Sequence, residues 1–461
     1  MSNFKYDVAI IGGGIGGLMA AYRLCRNIPD IKIVITERGN TLENRHCPAG
    51  KNNTCVHCRH CSITSGYAGA GAFSDGKFNL GTAYGGTLGE ELGDDTANKY
   101  IDEVDKILNE YCTSGEPTVY KSNESLKLKC LQNNLRLLDM NVKHLGTDKN
   151  YLTMQNLIRA LADDGVEMLA FYDCEKVEKH DGGGYTLYYT NGEKIEAEKI
   201  IIATGRGGAN FVADFCRSFG VKMRSNYVDI GVRVEMKDII WREFSDRIYE
   251  PKILYRTKTF EDRCRMFCFN KGGLVSAENN HGIITANGHS FADPAKKTDN
   301  CNFAILSSIR FTEPFDQPTE YAESISRLAN MIGKGNVLVQ RFGDLVRGRR
   351  TNDHRLGQNT VIPTLKATSG DISLVLPHRI LTNIIETIYA LDKVAPGTAN
   401  DDTLLYGCES KYYSIRPVFM NEKFELTDNV YIIGDGSGIC RGLSQSGAMG
   451  IYVADCISGK K

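Results

Sequence analysis

The chain has 461 residues, 42% hydrophobic and 24% charged, a globular composition that predicts two or three lobes. Its 55 lysines and arginines balance 56 aspartates and glutamates, so it lacks the broad basic surface of a nucleic-acid binder, and no nucleic-acid partner is predicted. No run of about 18 apolar residues indicates a membrane span, and fifteen cysteines without a secretion signal predict a reducing, cytoplasmic location.

The first predicted elements form a βαβ unit. Residues 6–11 form a near-continuous apolar run, as expected of a parallel strand covered on both faces. Glycines follow, then an apolar helix from about Gly16 to Arg26 and a second strand at 31–36. Residues 44–86, with four cysteines, three histidines and many glycines, predict an ordered loop held by ligands. Residues 95–165 are predicted to be mainly helical.

The later elements predict an interrupted domain. Residues 166–205 alternate as strands do and end in an apolar strand at 200–203. Residues 226–424 mix strands, helices and polar loops, whereas strand 430–433, a glycine turn and a helix from about Ser444 restore the first pattern. The predicted fold is therefore α/β: a discontinuous Rossmann-type domain over 1–225 and 425–461, with a helical insertion at 95–150, and an inserted α+β substrate domain over 226–424.

A glycine motif in the first unit carries the ligand prediction. Gly12, Gly14 and Gly17 lie between the first strand and the helix, where glycines permit a tight turn, close approach of a pyrophosphate and close helix packing. Glu37 closes the second strand 20 residues after Gly17, at the position of a carboxylate that binds ribose hydroxyls. Strand, glycines, helix and acid together predict a dinucleotide site for either NAD or FAD.

Two later sequence segments resemble those of the glutathione-reductase-type FAD superfamily. Ala203-Thr204-Gly205 ends one apolar strand, and Gly434-Asp435-Gly436 ends another before a helix that starts near Gly442. The resemblance implies a Rossmann-type FAD-binding domain in which the last helix points its positive end at the flavin. The cofactor-binding residues it predicts are Gly12, Gly14, Ile15, Gly16, Gly17, Glu37, Arg38, Gly71, Val177, Thr204, Gly205, Gly434, Asp435, Gly442, Ser444 and Gly447.

Shorter motifs resemble a poorly characterised family of FAD-dependent dehydrogenases over nearly the whole chain. They are Cys47-Pro, the three cysteines at 55–61, Gly69–Lys77, Asn287-Gly-His-Ser290, Val339–Asp344, Pro363-Thr-Leu365 and Leu404–Gly407. Two departures from that pattern are Tyr67-Ala68, where an aromatic residue followed by glycine is expected, and Lys271-Gly272, where a proline near a glycine is expected. A second dinucleotide fingerprint is lacking, so NAD(P)H either docks transiently or is replaced by another electron source.

The cysteines predict a second site. Cys55, Cys58 and Cys61 have C-x2-C-x2-C spacing, and Cys47 precedes a proline, so the four thiolates resemble iron–sulfur ligands. A [4Fe–4S] cluster is favoured because a flavin would give it an electron-transfer role. Zinc is the rival metal. A thiol redox relay and a loop of free thiols remain open.

The catalytic candidates are basic residues. Lys77 follows the cysteine segment and is predicted to place positive charge near the flavin or the substrate; an exposed turn lysine is the alternative. Arg347, with Arg349 and Arg350, is suited to an anionic substrate, or else to structural ion pairs on a loop. His289 and Arg441 are further candidates.

These predictions lead to an FAD-dependent oxidoreductase, a dehydrogenase or a reductase. Hydride or electrons would pass between flavin N5 and a small, anionic organic substrate, with a ferredoxin-like partner if a cluster is present. A flavin-dependent tRNA-modifying enzyme is one alternative, which the balanced charge disfavours. A non-catalytic redox-sensing flavoprotein is the other.

Overall fold

A computed structural model gives the fold. It describes residues 4–48, 58–74, 76–112, 118–121, 123–138, 141–224, 226–248, 250–280, 282–290, 294–312, 314–315, 317–411 and 416–460. Contacts divide the chain into two compact units. The first comprises residues 1–119, 140–224 and 414–461, and the second comprises 120–139 and 225–413.

The described residues form helices and strands in a mixed order. The helices are α1 (Ile15–Asn27), α2 (Leu88–Leu92), α3 (Asp94–Tyr111), α4 (Glu124–Leu131), α5 (Thr147–Asp163), α6 (Ala209–Ser218), α7 (Arg242–Ser245), α8 (Pro318–Ile332), α9 (Phe342–Val346), α10 (Asp353–Gly357), α11 (His378–Asp392) and α12 (Leu443–Ile457). The strands are β1 (Tyr6–Ile11), β2 (Ile33–Glu37), β3 (Lys77–Leu80), β4 (Thr118–Tyr120), β5 (Leu135–Leu137), β6 (Asn141–His144), β7 (Glu167–Ala170), β8 (Cys174–Lys179), β9 (Tyr185–Tyr189), β10 (Lys194–Ile202), β11 (Met223–Arg224), β12 (Val228–Lys237), β13 (Ile253–Arg256), β14 (Arg263–Asn270), β15 (Leu274–Asn280), β16 (Ile283–His289), β17 (Asn300–Ile309), β18 (Leu338–Arg341), β19 (Thr368–Ser369), β20 (Leu404–Lys411), β21 (Arg416–Pro417), β22 (Glu425–Thr427) and β23 (Val430–Ile432).

The first unit is a Rossmann-like domain. Strands β23, β10, β1, β2 and β7 are neighbours in one parallel sheet. Successive residues of β1 enter two different cores, as the period of two requires. Ile10 packs with α1, α3, α5 and α12, whereas Ile11 packs with β8, β9 and α6. Both faces are therefore covered, which explains the continuous apolar runs.

The second unit is built on a mainly antiparallel sheet. Its strand order is β19-β18-β20-β12-β17-β14-β13-β5, and β18 and β19 are the parallel pair in it. Helices α8 and α11 contribute apolar residues to the same core as β12 and β17. Trp241, the single tryptophan of the chain, is fully buried there against Phe244, Phe269 and Phe303.

The predicted α/β class, with a Rossmann-type domain and a separate second domain, is confirmed. The helical insertion at 95–150 is corrected, since β4, β5 and β6 lie among the helices and residues 120–139 belong to the second unit. Strand β5 has three residues and pairs with β13, more than 100 positions away, a partner that local pattern does not reveal. The last segment of the first unit begins at 414, before the predicted 425. None of the described helices combines the length and apolar character that crossing a membrane requires.

Candidate dinucleotide site

The glycine motif forms the turn between β1 and α1. Gly12 has a φ of +113°, and a Cβ there would lie 2.4 Å from the Ala203 carbonyl oxygen. A Cβ on Gly17 would lie 2.3 Å from the Gly12 oxygen. These two glycines are therefore needed for the turn and for helix packing. Gly14 differs, because the nearest atom to its added Cβ is Gly69 Cα at 3.9 Å, so the turn is open at the position where a pyrophosphate is expected.

The two helices that begin at this site meet through their first turns. Gly14 precedes α1 and Gly442 precedes α12, and neither N-terminus has a side-chain capping bond. An added Cβ on Gly16 would lie 3.2 Å from the Ser446 carbonyl oxygen. Two helix N-termini with unsatisfied N–H groups therefore lie close together, which favours an anion.

Glu37 has a different role from the one predicted. The carboxylate is buried and accepts backbone N–H groups from Gly13 at 3.0 Å and from Gly39 and Gly66 at 2.9 Å each. Because an ionised carboxylate has about four acceptor positions, one remains for a ribose hydroxyl. Glu37 therefore holds the backbone of the surrounding loops through three hydrogen bonds. Its binding to a ribose stays a prediction.

A left-handed turn at residues 66–69 lies under the glycine motif. The Tyr67 ring would lie 2.7 Å from a Cβ on Gly13, and its hydroxyl donates to the Ile35 carbonyl at 2.8 Å. The Ala68 N–H donates to the Gly13 carbonyl at 2.8 Å. Ala68 has a φ of +66°, a conformation that favours glycine. The departure from the aromatic-glycine pattern therefore falls on a residue whose backbone suits glycine.

Besides Thr87 Oγ1, two buried hydroxyl groups in the first unit lack partners among the described residues. They are Thr204 Oγ1, which follows β10, and Ser444 Oγ, in the first turn of α12. Buried hydroxyl groups normally form hydrogen bonds, so both are candidates for a bound ligand. The glycine cradle, the uncapped helices and these hydroxyls fit the FAD that the resemblance implies.

Asp435 lies beside these groups. Ser446 Oγ donates to one carboxylate oxygen at 3.3 Å, and Arg206 Nε lies 3.4 Å from the other. Burial raises the pKa of Asp435, and Arg206 and Ser446 act in the opposite direction. An added Cβ on Gly436 would lie 3.3 Å from the Gly205 carbonyl oxygen. The two predicted cofactor-binding segments, Thr204-Gly205 and Gly434-Asp435, therefore lie close together in the fold.

Several of the residues predicted to bind the cofactor contact other parts of the protein in the fold. Ile15 and Val177 are buried in apolar cores, and a Cβ on Gly447 would lie 3.1 Å from the Val104 side chain. Arg38 donates to Ser65 Oγ and to the Gly207 carbonyl. A Cβ on Gly71 would lie 2.4 Å from the Leu443 side chain, which places residue 71 beside the start of α12.

The catalytic candidates are distributed over both units. Lys77 is half-buried on β3, in register with His144, and the Arg441 N–H donates to the Gly85 carbonyl at 2.5 Å; both belong to the first unit. His289 is exposed at the end of β16 in the second unit. Arg347, also in the second unit, donates to the Gly343 carbonyl at 2.8 Å.

The arginine cluster is engaged by carboxylates. The Arg347 guanidinium lies 2.7 Å from Asp401, a bond that raises the pKa of the arginine. Arg349 Nε donates to Asp344 at 2.7 Å. These contacts support structural ion pairs over the anionic-substrate interpretation.

The cysteine site gains no support. Cys47, Cys58 and Cys61 are exposed, and Cys55 lies outside the described residues. Among the residues that the structure describes, no three histidine, cysteine or acidic side chains are grouped as metal ligands.

Sequence reasoning missed two buried arginines. Arg45 lies beside the dinucleotide site, and Arg233 forms a bidentate ion pair with Glu409 in the second unit at 2.7 Å for both bonds. Arg233 also accounts for one motif, since Asn287 accepts one of its N–H groups at 3.2 Å and a Cβ on Gly288 would lie 2.5 Å from its Nη1. The sequence signal for Arg233 was a charged residue between two valines of strand β12.

Comparison with known families gives two matches. Residues 228–412 match a family described as "FAD-dependent protein, C-terminal domain-like". Residues 10–67, which hold the glycine motif and Glu37, match an NAD(P)-binding Rossmann-like domain. A comparison with curated proteins finds no match. Together with the geometry of the site, the two matches support an FAD-dependent protein of the oxidoreductase class.

Known structures give distant likenesses. One is 2,6-dihydroxypyridine-3-hydroxylase from Arthrobacter nicotinovorans, with a TM-score of 0.42 and 12% identity over 99% of this chain and 84% of that chain. Another is glycine oxidase from Geobacillus kaustophilus, with a TM-score of 0.40 and 11% identity over 100% of this chain and 96% of that one. No conclusion about substrate or reaction rests on them.

Proposed function

We propose that the chain is an oxidoreductase whose first unit holds FAD along the line from Glu37 through Gly14 to α12. The observation that carries this proposal is the meeting of two uncapped helix N-termini beside two buried, unpartnered hydroxyls. The helix ends supply N–H groups and partial positive charge for a diphosphate and for an electron-rich ring. When bound, FAD supplies the two-electron redox chemistry.

Individual residues of the first unit would contact different parts of FAD. Gly14 leaves room for the diphosphate, and Glu37 holds the neighbouring loops and has one acceptor position free for a ribose hydroxyl. Ser444, in the first turn of α12, and Thr204, after β10, would each donate a hydrogen bond to the cofactor. Lys77 and Arg441 would add positive charge at the ring end.

The substrate proposal is a small organic molecule that gives or accepts a hydride. We retain both dehydrogenase and reductase directions, with NAD(P)H or a ferredoxin-like protein as the electron partner. An iron–sulfur relay at Cys47, Cys55, Cys58 and Cys61 is part of the proposal only if anaerobically purified protein contains iron and sulfide. Zinc, or no metal, removes the relay and leaves the flavin proposal intact.

The test uses the full chain. Apoprotein is titrated with FAD, FMN and NADH by calorimetry, and the FAD-bound protein is then photoreduced. Reoxidation is followed at the flavin absorbance with O2, NAD(P)+ and an oxidised ferredoxin in separate experiments. Saturable binding of FAD with reoxidation by at least one acceptor supports the proposal. Failure to bind FAD, or a bound flavin that no acceptor reoxidises, contradicts it.

A further inference from the structure

Arg45 is a buried guanidinium whose hydrogen bonds among the described residues all go to backbone carbonyls, and whose Cζ atom lies 4.8 Å from the centre of the Phe73 ring. Its exposed fraction is 3%. Nε donates to Ser62 at 2.9 Å and Nη2 to Ile63 at 2.8 Å. Nη1 faces three carbonyls, at 2.6 Å from Tyr67, 2.8 Å from Gly69 and 3.4 Å from Gly66. One side chain thus connects the chain after residue 44 with five residues between 62 and 69.

The charge of Arg45 has no carboxylate in direct contact within the described part of the chain. Burial lowers the pKa of Arg45 to about 10, and Glu37 is the strongest opposing charge. Buried charges are usually paired with a charge of opposite sign. The five carbonyl dipoles and the nearby Glu37 take that place here, and a bound diphosphate would add negative charge on the same side of the domain.

The turn that Arg45 binds is the one beneath the glycine motif. Gly66 donates its N–H to Glu37 at 2.9 Å, and its carbonyl faces Arg45. Gly66 is therefore held through its N–H by an acid and through its carbonyl by an arginine. Beyond it, Ala68 and Gly69 have φ values of +66° and +60°. A Cβ on Gly69 would lie 3.1 Å from Gly14 Cα, so a shift of this turn would reach the open side of the phosphate loop.

Arg45 also closes the base of the cysteine segment. Arg45 directly precedes residues 46–61, which carry the four cysteines, and it donates to the carbonyls of Ser62 and Ile63, which directly follow them. The Ser65 N–H donates to the Cys61 carbonyl at 2.8 Å, which extends the closure. The turn at residues 66–69 and the residues that follow the cysteine segment thus bind the same guanidinium.

We propose that Arg45 is a positioning residue for the cofactor: it holds the turn at Gly66–Gly69 against the phosphate loop and so sets the affinity for FAD. The proposal rests on FAD binding by the first unit. Arginine suits the task because its planar guanidinium presents five donors in fixed directions, whereas lysine has three on a flexible stem. The carbonyls point at the guanidinium, so an apolar side chain at residue 45 would leave them without these donors.

The test compares Arg45→Ala, Arg45→Lys and the matched control Arg59→Ala, an exposed arginine. Loss of hydrogen bonds from a charged donor predicts that Arg45→Ala weakens FAD binding roughly 10- to 100-fold. Arg45→Lys should lie between Arg45→Ala and the wild type, and Arg59→Ala should match the wild type. Calorimetry gives the affinities, and far-ultraviolet circular dichroism checks that each apoprotein is folded.

Chemical rescue separates positioning from general loss of structure. Guanidinium at low, non-denaturing concentration should enter the space left in Arg45→Ala and restore much of the FAD affinity, whereas urea, its neutral analogue, should not. Wild-type affinity in Arg45→Ala, or rescue by urea as complete as by guanidinium, overturns the inference. A folded Arg45→Lys protein with the full loss of affinity and no rescue of Arg45→Ala also overturns it. Failure of the wild type to bind FAD contradicts the proposed function instead.

Discussion

Two buried polar sites, the Arg233–Glu409 pair of the second unit and the dinucleotide site of the first, differ in how far their hydrogen bonds are satisfied. In the second unit, all five donors of Arg233 have acceptors: Glu409 twice, then Cys268, Asn302 and Asn287. In the first unit, the hydroxyl groups of Thr204 and Ser444 are buried and have no hydrogen-bond partner among the described residues. Helices α1 and α12 begin there without a side-chain cap. The five satisfied donors of Arg233 stabilise the fold, whereas the two hydroxyls at the dinucleotide site are suited to a ligand.

Glu235 extends the comparison. It is fully buried in the second unit and accepts from Tyr406 at 2.5 Å, Thr364 Oγ1 at 2.5 Å and Asn300 at 3.1 Å. Thr364 and Tyr406 lie in two of the family-like motifs, so those motifs serve the core of the second unit. Motif residues of the first unit instead surround open space at Gly14. The same kind of sequence signal therefore has two physical causes.

The largest expected effect is the loss of folding stability when the Arg233–Glu409 ion pair is broken. Glu409→Gln leaves a buried guanidinium without its counter-charge, which should lower the free energy of unfolding by about 3–5 kcal/mol. Fluorescence of Trp241, the single tryptophan and part of the second unit's core, reports this unfolding in urea. As a control, Glu261→Gln removes an exposed ion pair with Arg256 and should change stability by less than about 1 kcal/mol. Equal effects of the two substitutions would contradict the distinction.

The next effect is on cofactor affinity. Gly14→Val fills the open side of the phosphate loop, so FAD affinity should fall by about 100-fold or more, the loss of roughly 3 kcal/mol of contacts. Apoprotein stability should change by only about 1 kcal/mol, since the nearest atom to the added Cβ, Gly69 Cα, lies 3.9 Å away. Gly182→Val is the control, because it adds its Cβ to open space elsewhere in the first unit. A Gly14→Val protein that retains FAD at wild-type affinity would show that the phosphate loop is placed wrongly.

The first unit was the more predictable from sequence because its signals are local. Strand β1, Gly12, Gly14, Gly17 and α1 are contiguous, and periodicity and glycine chemistry describe them without knowledge of distant residues. Glu37 was found by spacing, but its three backbone donors were not, since Gly66 reaches it only through a turn that folds back. Arg45 was missed because the sequence gives a residue's charge but not which carbonyls it meets.

The second unit was less predictable because its pairings are remote. Arg233 and Glu409 are separated by 176 positions, and β5 joins a sheet whose other members begin at residue 228. Arg347 and Arg349 had an anion-binding alternative, and only the structure places Asp401 and Asp344 against them. Pair formation across such distances is decided by tertiary packing, which composition and period do not encode.

A smaller loss of FAD affinity should show whether the Ser444 hydroxyl contacts the ligand or only supports the fold. Ser444→Ala removes a buried hydroxyl without a described partner, so apoprotein stability should stay constant or rise slightly, while FAD affinity should fall about 3- to 10-fold, as for one lost hydrogen bond. Ser458→Ala, at the far end of the same helix, should leave FAD affinity unchanged. Calorimetric titration and thermal unfolding of the apoproteins measure both quantities. A loss of apoprotein stability without a loss of affinity would assign Ser444 to the fold.

The smallest effect concerns Ala68, which bears the left-handed strain of the turn beneath the glycine motif. Glycine adopts a φ of +66° without the cost of about 1–2 kcal/mol that a Cβ imposes, but it gains entropy in the unfolded chain. Ala68→Gly should therefore raise apoprotein stability by about 0.5–1 kcal/mol. Ala162→Gly, an exposed position in helix α5, should lower it by about 1 kcal/mol. Thermal unfolding of the two variants should thus shift in opposite directions, and a destabilised Ala68→Gly protein would mean that the methyl group packs in the turn more strongly than the backbone is strained.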